Sequence, residues 1–173
     1  MDFPHVYDVL TQARQKLFGW IRPLSQEQYT QKFTFGLGTL RATAIEMARV
    51  EWLYGLRLQR PSAPLPPRDQ WPVSEERQPA FRELEAVWTE QAPRTRAILA
   101  GISDWNTMVE YRRVQPGTPE KITFVSAIKG DLAMQMLMHE VHHRAQAMAM
   151  LRQLGVAAQN LDYGVFAFKE REG

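Results

Sequence analysis

Between residues 130 and 154 the chain has no proline, and its one glycine stands at the first position, with a second, Gly155, immediately beyond the end. A run of this length, stopped by glycine, predicts a long helix over Gly130–Leu154. Three of the protein's four histidines fall in its middle, in the stretch His139-Glu-Val-His-His143-Arg-Ala-Gln146. The other segments must supply partners of comparable length to cover such a helix.

The chain offers three. Asp2 caps a first helix, with Pro4 in the opening turn where its missing N–H is harmless. Val6, Leu10, Ala13, Leu17 and Trp20 then recur at helical spacing up to Pro23. Ser25–Gln28 reads as a short capped turn, and Gly36-Leu-Gly38 breaks the chain again. Thr39 caps a second long helix to about Gln59. Residues 61–72 hold five prolines and form a stiff extended connection. A third long helix runs from about Pro79 to Ala100, with Phe81, Leu84, Val87 and Trp88 on one side and a kink expected at Pro93. Thr107-Met-Val-Glu-Tyr111 and Lys121-Ile-Thr-Phe-Val125 are β-branched or aromatic, and Gln-Pro-Gly-Thr-Pro at 115–119 is a turn, so a small hairpin is expected there. The apolar tail at 161–168 should pack back on the helices. The expected fold is all-α: one domain over residues 1–173, a four-helix bundle with a small β-hairpin inserted between the third and fourth long helices.

Composition excludes several functions. The chain has no cysteine, which removes disulfides, zinc–thiolate sites and cysteine nucleophiles. The net charge of +2 is scattered, and no basic run suits nucleic acid. The N-terminus lacks the pattern of a signal peptide, and no apolar stretch is long enough to span a membrane. A cytoplasmic protein is expected.

On the wheel of the fourth long helix, His139 and His143 share a stripe with Leu132, Met136, Ala147, Met150 and Leu154. His142 falls with Asp131, Gln135 and Gln153 on a polar face. Glu140 and Arg144 are expected as a solvent-side ion pair. Imidazoles at i and i+4 are close enough to share a metal ion, but core histidines hydrogen-bonded to neighbouring helices have the same signature. The stretch also matches the HExxH pattern of metalloproteases, where the glutamate acts as general base, although the chain has little sheet to bind a peptide. Two histidines seldom hold zinc alone. His5 reads as a surface residue. On the second long helix Glu46 shares a stripe with Ala42, Val50 and Leu53, and Glu51 with Leu40, Met47 and Leu58. Either is a ligand or the partner of an arginine such as Arg49 or Arg57.

The chain resembles the DinB/YfiT-like superfamily of bacterial metal-binding four-helix bundles. The resemblance rests on His139-Glu-Val-His-His143-Arg-Ala-Gln146, Leu151-Arg-Gln-Leu-Gly155, Leu161-Asp-Tyr163, and Glu46 followed by Glu51-Trp-Leu. It implies a divalent metal, zinc or nickel, held by one residue of the second long helix and two of the fourth. The latter carry over to His139 and His143; where the family has a histidine on the second, this chain has Glu46. Two histidines and a glutamate form a known hydrolytic ligand set. The resemblance further implies a homodimer that activates a low-molecular-weight thiol, or water, against a small-molecule substrate, in stress or detoxification. The other outcome is a non-catalytic bundle with a structural or dimeric role. Gln146 is expected either to orient a ligand or to bridge helices.

Overall fold

The computed structural model describes residues 1–115, 118–169 and 171. Among them the protein is mostly helical, with six α-helices and one two-stranded antiparallel hairpin. Helix α1 spans Phe3–Ile21, and the Asp2 carboxylate accepts the His5 N–H at 3.0 Å, as a capping residue should. The short α2, Gln26–Thr30, begins with a capping box between Ser25 and Gln28. Helix α3 spans Leu40–Gln59 behind its Thr39 cap. Helix α4, Phe81–Ala100, starts two residues later than expected and runs through Pro93 as one helix. Helix α5, Lys129–Gln153, follows directly from the hairpin, and α6, Tyr163–Ala167, is the last helix among the described residues. No helix among the described residues is long and apolar enough to cross a membrane.

The hairpin strands are longer than their sequence suggests: β1 is Met108–Gln115 and β2 is Thr118–Ile128. Pairing of Met108 with Ile128 and Val109 with Ala127 carries the ladder down to the start of α5. The expected turn at 115–119 lies partly outside the described residues. Val109 is buried while Met108 and Phe124 are exposed, so one face of the ribbon packs inward and the other meets solvent.

Helix α1 packs on α4 and α5, and α3 packs on the same two. The apolar interior falls into two clusters. One gathers Leu17, Phe18 and Ile21 of α1, Leu40, Ala44 and Met47 of α3, Leu84 and Trp88 of α4, and Ala147, Met150 and Leu151 of α5. The other gathers Phe3, Tyr7 and Leu10 of α1, Leu58 of α3, Leu99 of α4, and Leu132, Ala133, Met136 and Leu137 of α5. The order of these residues along each helix sets its direction: α1 and α5 run one way, α3 and α4 the other. The parallel pair α3 and α4 therefore needs a connection that returns the length of a helix, which no tight turn provides. The proline-rich segment does this. Arg57 of α3 fastens it by donating to the carbonyls of Pro61 and Ala63, both at 2.9 Å, and reaches the hairpin through the Arg112 carbonyl at 3.2 Å.

Between the two apolar clusters lies a buried polar layer. Arg14 of α1 donates to Glu51 of α3 at 2.6 Å and, through Nε, to Glu140 of α5 at 3.1 Å. Glu51 also accepts from Tyr7 at 2.8 Å, Thr95 at 2.7 Å and Trp88 at 3.1 Å. This corrects the expectation that Glu140 and Arg144 face solvent. They do approach each other, at 3.7 Å, but both are buried. The wheel misplaces them because α5 is buried over much more than one stripe, with Ala133, Leu137, Met148 and Leu151 forming a second apolar row beside Glu140 and Arg144.

Candidate metal centre

Glu46 of α3 and His139 and His143 of α5 converge at the edge of this polar layer. One ligand atom from each lies within 4.8 Å of the other two. The two Nε2 atoms are 3.2 Å apart, and Glu46 Oε1 is 3.7 Å from His139 Nε2. His143 is buried, and Glu46 and His139 are half-buried. All three sequence candidates therefore meet, and His5 is exposed, as expected.

The donor set suits a divalent ion. Two imidazole nitrogens, each about 2.0–2.1 Å from a tetrahedral zinc, would stand about 3.3 Å from each other, close to the observed 3.2 Å. Burial, reinforced by the nearby His143, pushes His139 down from 6.5 to about 4, against the opposing pull of Glu46. Its ring is thus neutral near pH 7, the state a metal requires. Glu46 divides its carboxylate: Oε2 accepts from Arg49 Nε at 2.9 Å, and Oε1 faces the histidines. The ion pair with Arg49 anticipated as an alternative to metal binding is therefore present alongside the cluster.

Glu51, the competing carboxylate, is not part of the site. Its two oxygens are occupied by the four donors of Arg14, Tyr7, Thr95 and Trp88. Glu140 is likewise committed to Arg14 in the interior. A general base must reach the water it deprotonates, so the arrangement does not support the metalloprotease reading of HEVHH.

Gln146 does not bridge helices. Its Oε1 lies 2.8 Å from His143 Nδ1 and its Nε2 lies 2.9 Å from His142 Nε2, all on α5. From the segment before α3, Gly36 backs it: a Cβ there would stand 3.0 Å from Gln146 Oε1 and 3.4 Å from Met150 Cε. Gly36 also has φ of +59°, a region few side chains tolerate. Trp71 of the proline-rich connection packs at a tilt against Trp52 with a centroid distance of 5.6 Å, and lies 5.9 Å from the guanidinium of Arg49.

The sequence reading leaves out Arg14 and takes Gly36 only as a break in the chain. Arg14 had a signal, since it stands between Leu10 and Leu17 on the apolar face of α1. The contact of Gly36 with α5 had none.

Comparison with curated proteins finds no match. The model of the DinB family matches residues 1–173, the whole chain, and the protein belongs to that family.

Proposed function

We propose that Glu46, His139 and His143 hold a divalent metal ion, zinc or nickel, in a four-helix bundle formed by α1, α3, α4 and α5. On this reading the protein is a metal-dependent enzyme, a thiol transferase or a hydrolase, acting on a small molecule. The observation that carries the reading is the convergence of one carboxylate and two imidazoles within 4.8 Å. A bound Lewis-acidic ion lowers the pKa of a thiol or a water molecule and supplies the anion at neutral pH.

The chain's own residues prepare the site. Three protein ligands leave room for a thiol or water, as in catalytic zinc sites. Arg49 holds Glu46 by one oxygen and leaves the other towards the histidines. Burial keeps His139 unprotonated. Because the chain has no cysteine, the thiol comes from a cosubstrate.

One observation favours a second reading, in which the cluster is structural. The Arg49–Glu46 pair and the contact between His139 and His143 give these polar groups partners without an ion. Elemental analysis of protein purified without a polyhistidine tag or chelator separates the two, compared with His143→Ala and Glu46→Ala. Near-stoichiometric metal, lost in both variants, supports the enzyme and directs a screen of thiols and hydrolysable substrates. Wild-type protein that stays metal-free after addition of zinc or nickel refutes it.

A further inference from the structure

We propose that Gln146 is a positioning residue that sets the tautomer of His143. This rests on the metal reading for its purpose, though not for its test. Gln146 Oε1 has no proton to give, so His143 Nδ1, 2.8 Å away, must be the donor. A neutral imidazole carries one N–H. With that proton on Nδ1, Nε2 keeps its lone pair, and Nε2 is the atom 3.2 Å from His139 Nε2 in the ligand cluster.

The same logic runs outward. The amide nitrogen of Gln146 only donates, so His142 Nε2, 2.9 Å away, accepts, and the His142 proton sits on Nδ1. A reversed amide would turn its donors towards His143 Nδ1. The His143 proton would then move to Nε2, inside the cluster, where it blocks coordination. His142 is exposed and is not a ligand; either of its tautomers can pair with the amide, so its proton follows the amide orientation. Gly36 closes the arrangement, because any side chain there would press on the amide at 3.0–3.2 Å. Partners that orient a ligating histidine and fix its tautomer typically govern metal affinity by about 10–100-fold.

The test combines two readouts on wild-type protein, Gln146→Leu, Gln146→Glu and His142→Ala. Long-range proton–nitrogen correlation spectra of the metal-free, nitrogen-15-labelled chain identify which His143 nitrogen carries the proton. Competition titration with a chromophoric chelator measures zinc affinity. The expected result is a single Nδ1–H tautomer in the wild type. Gln146→Leu mixes the tautomers and weakens zinc by about 10–100-fold. Gln146→Glu, which keeps an acceptor opposite Nδ1, and His142→Ala, which leaves Gln146 in place, both retain the wild-type tautomer. If Gln146→Leu does not fold, the other two variants and the wild-type spectrum decide. An Nε2–H tautomer in the wild type overturns the proposal, as does an unchanged tautomer in Gln146→Leu or a switched one in Gln146→Glu. A wild-type protein that binds no zinc refutes the metal reading alone, since the spectra report on Gln146 without metal.

Discussion

Glu46 and Glu51 stand on the same helix, and their surroundings give them opposite parts. Burial opposes ionisation of Glu51, but Arg14, with hydrogen bonds from Thr95, Trp88 and Tyr7, outweighs it and holds the carboxyl below the usual carboxylate range. A folded-state pKa below the unfolded value contributes stability that is present above the ordinary range and is lost as pH falls through the folded value. Chemical denaturation of metal-free protein between pH 7 and pH 3 should therefore show acid destabilisation that is shallower in Glu51→Gln than in the wild type. Parallel curves would mean that Glu51 ionises alike in both states. Gly36 gives a second prediction at this scale. In Gly36→Ala the backbone keeps a φ of +59° and a methyl meets Gln146 at 3.0 Å. The left-handed conformation alone costs roughly 1–2 kcal/mol for a residue with a side chain, so the thermal midpoint should drop, and displacement of Gln146 should weaken zinc as well. Retained zinc affinity would show that the amide has another place to go. Sequence could name His139 and His143 because buried polar residues stand out within apolar stripes, whereas Glu46 was named through the family resemblance. The stripes of α3 alone did not separate Glu46 from Glu51, since that distinction depends on donors from two other helices.

Each long helix contributes to the charged layer at mid-height: α1 through Arg14 and Tyr7, α3 through Glu51, α4 through Trp88 and Thr95, and α5 through Glu140. Pairing a buried guanidinium with two carboxylates yields little net stability over an apolar core, but removing one partner leaves an uncompensated buried charge. Arg14→Met should accordingly destabilise by about 3–5 kcal/mol. Adding Glu51→Gln to that variant should recover part of the loss, because it removes one of the stranded charges. Full additivity of the two substitutions in urea unfolding would argue against a shared network. Arg57 plays an analogous part between elements, tying α3 to the proline-rich connection and to the hairpin. In Arg57→Ala, amide exchange should quicken in both segments while α1 and α5 keep their protection; uniform loss would mean that Arg57 supports the core instead. The elements themselves were legible because prolines and glycines punctuate them and Asp2, Ser25 and Thr39 cap them. The buried faces of α5 were not, since a helix covered on most sides presents no single stripe for a wheel to find.

At the scale of the whole molecule, the proline-rich connection explains how two parallel helices, α3 and α4, can follow one another in the chain, and the polar layer explains why the core falls into two apolar parts. The family match spans residues 1–173. The candidate metal joins α3 to α5, two helices also linked through Arg14, so an ion bound there is coupled to folding of the whole chain. A ligand present at 100 times its dissociation constant stabilises the folded state by about 2.7 kcal/mol. For a chain of this size each kcal/mol moves the thermal midpoint by roughly 2–4 °C, so saturating zinc should raise it by roughly 5–11 °C over chelator-treated protein. The increment should vanish in His143→Ala, which removes a ligand, and survive in Glu51→Gln, whose carboxylate lies outside the site. Loss of the increment in both variants would place the stabilisation in general folding competence. Its persistence in His143→Ala would put the ion elsewhere. Only its loss in His143→Ala, with retention in Glu51→Gln, assigns it to the cluster of Glu46, His139 and His143.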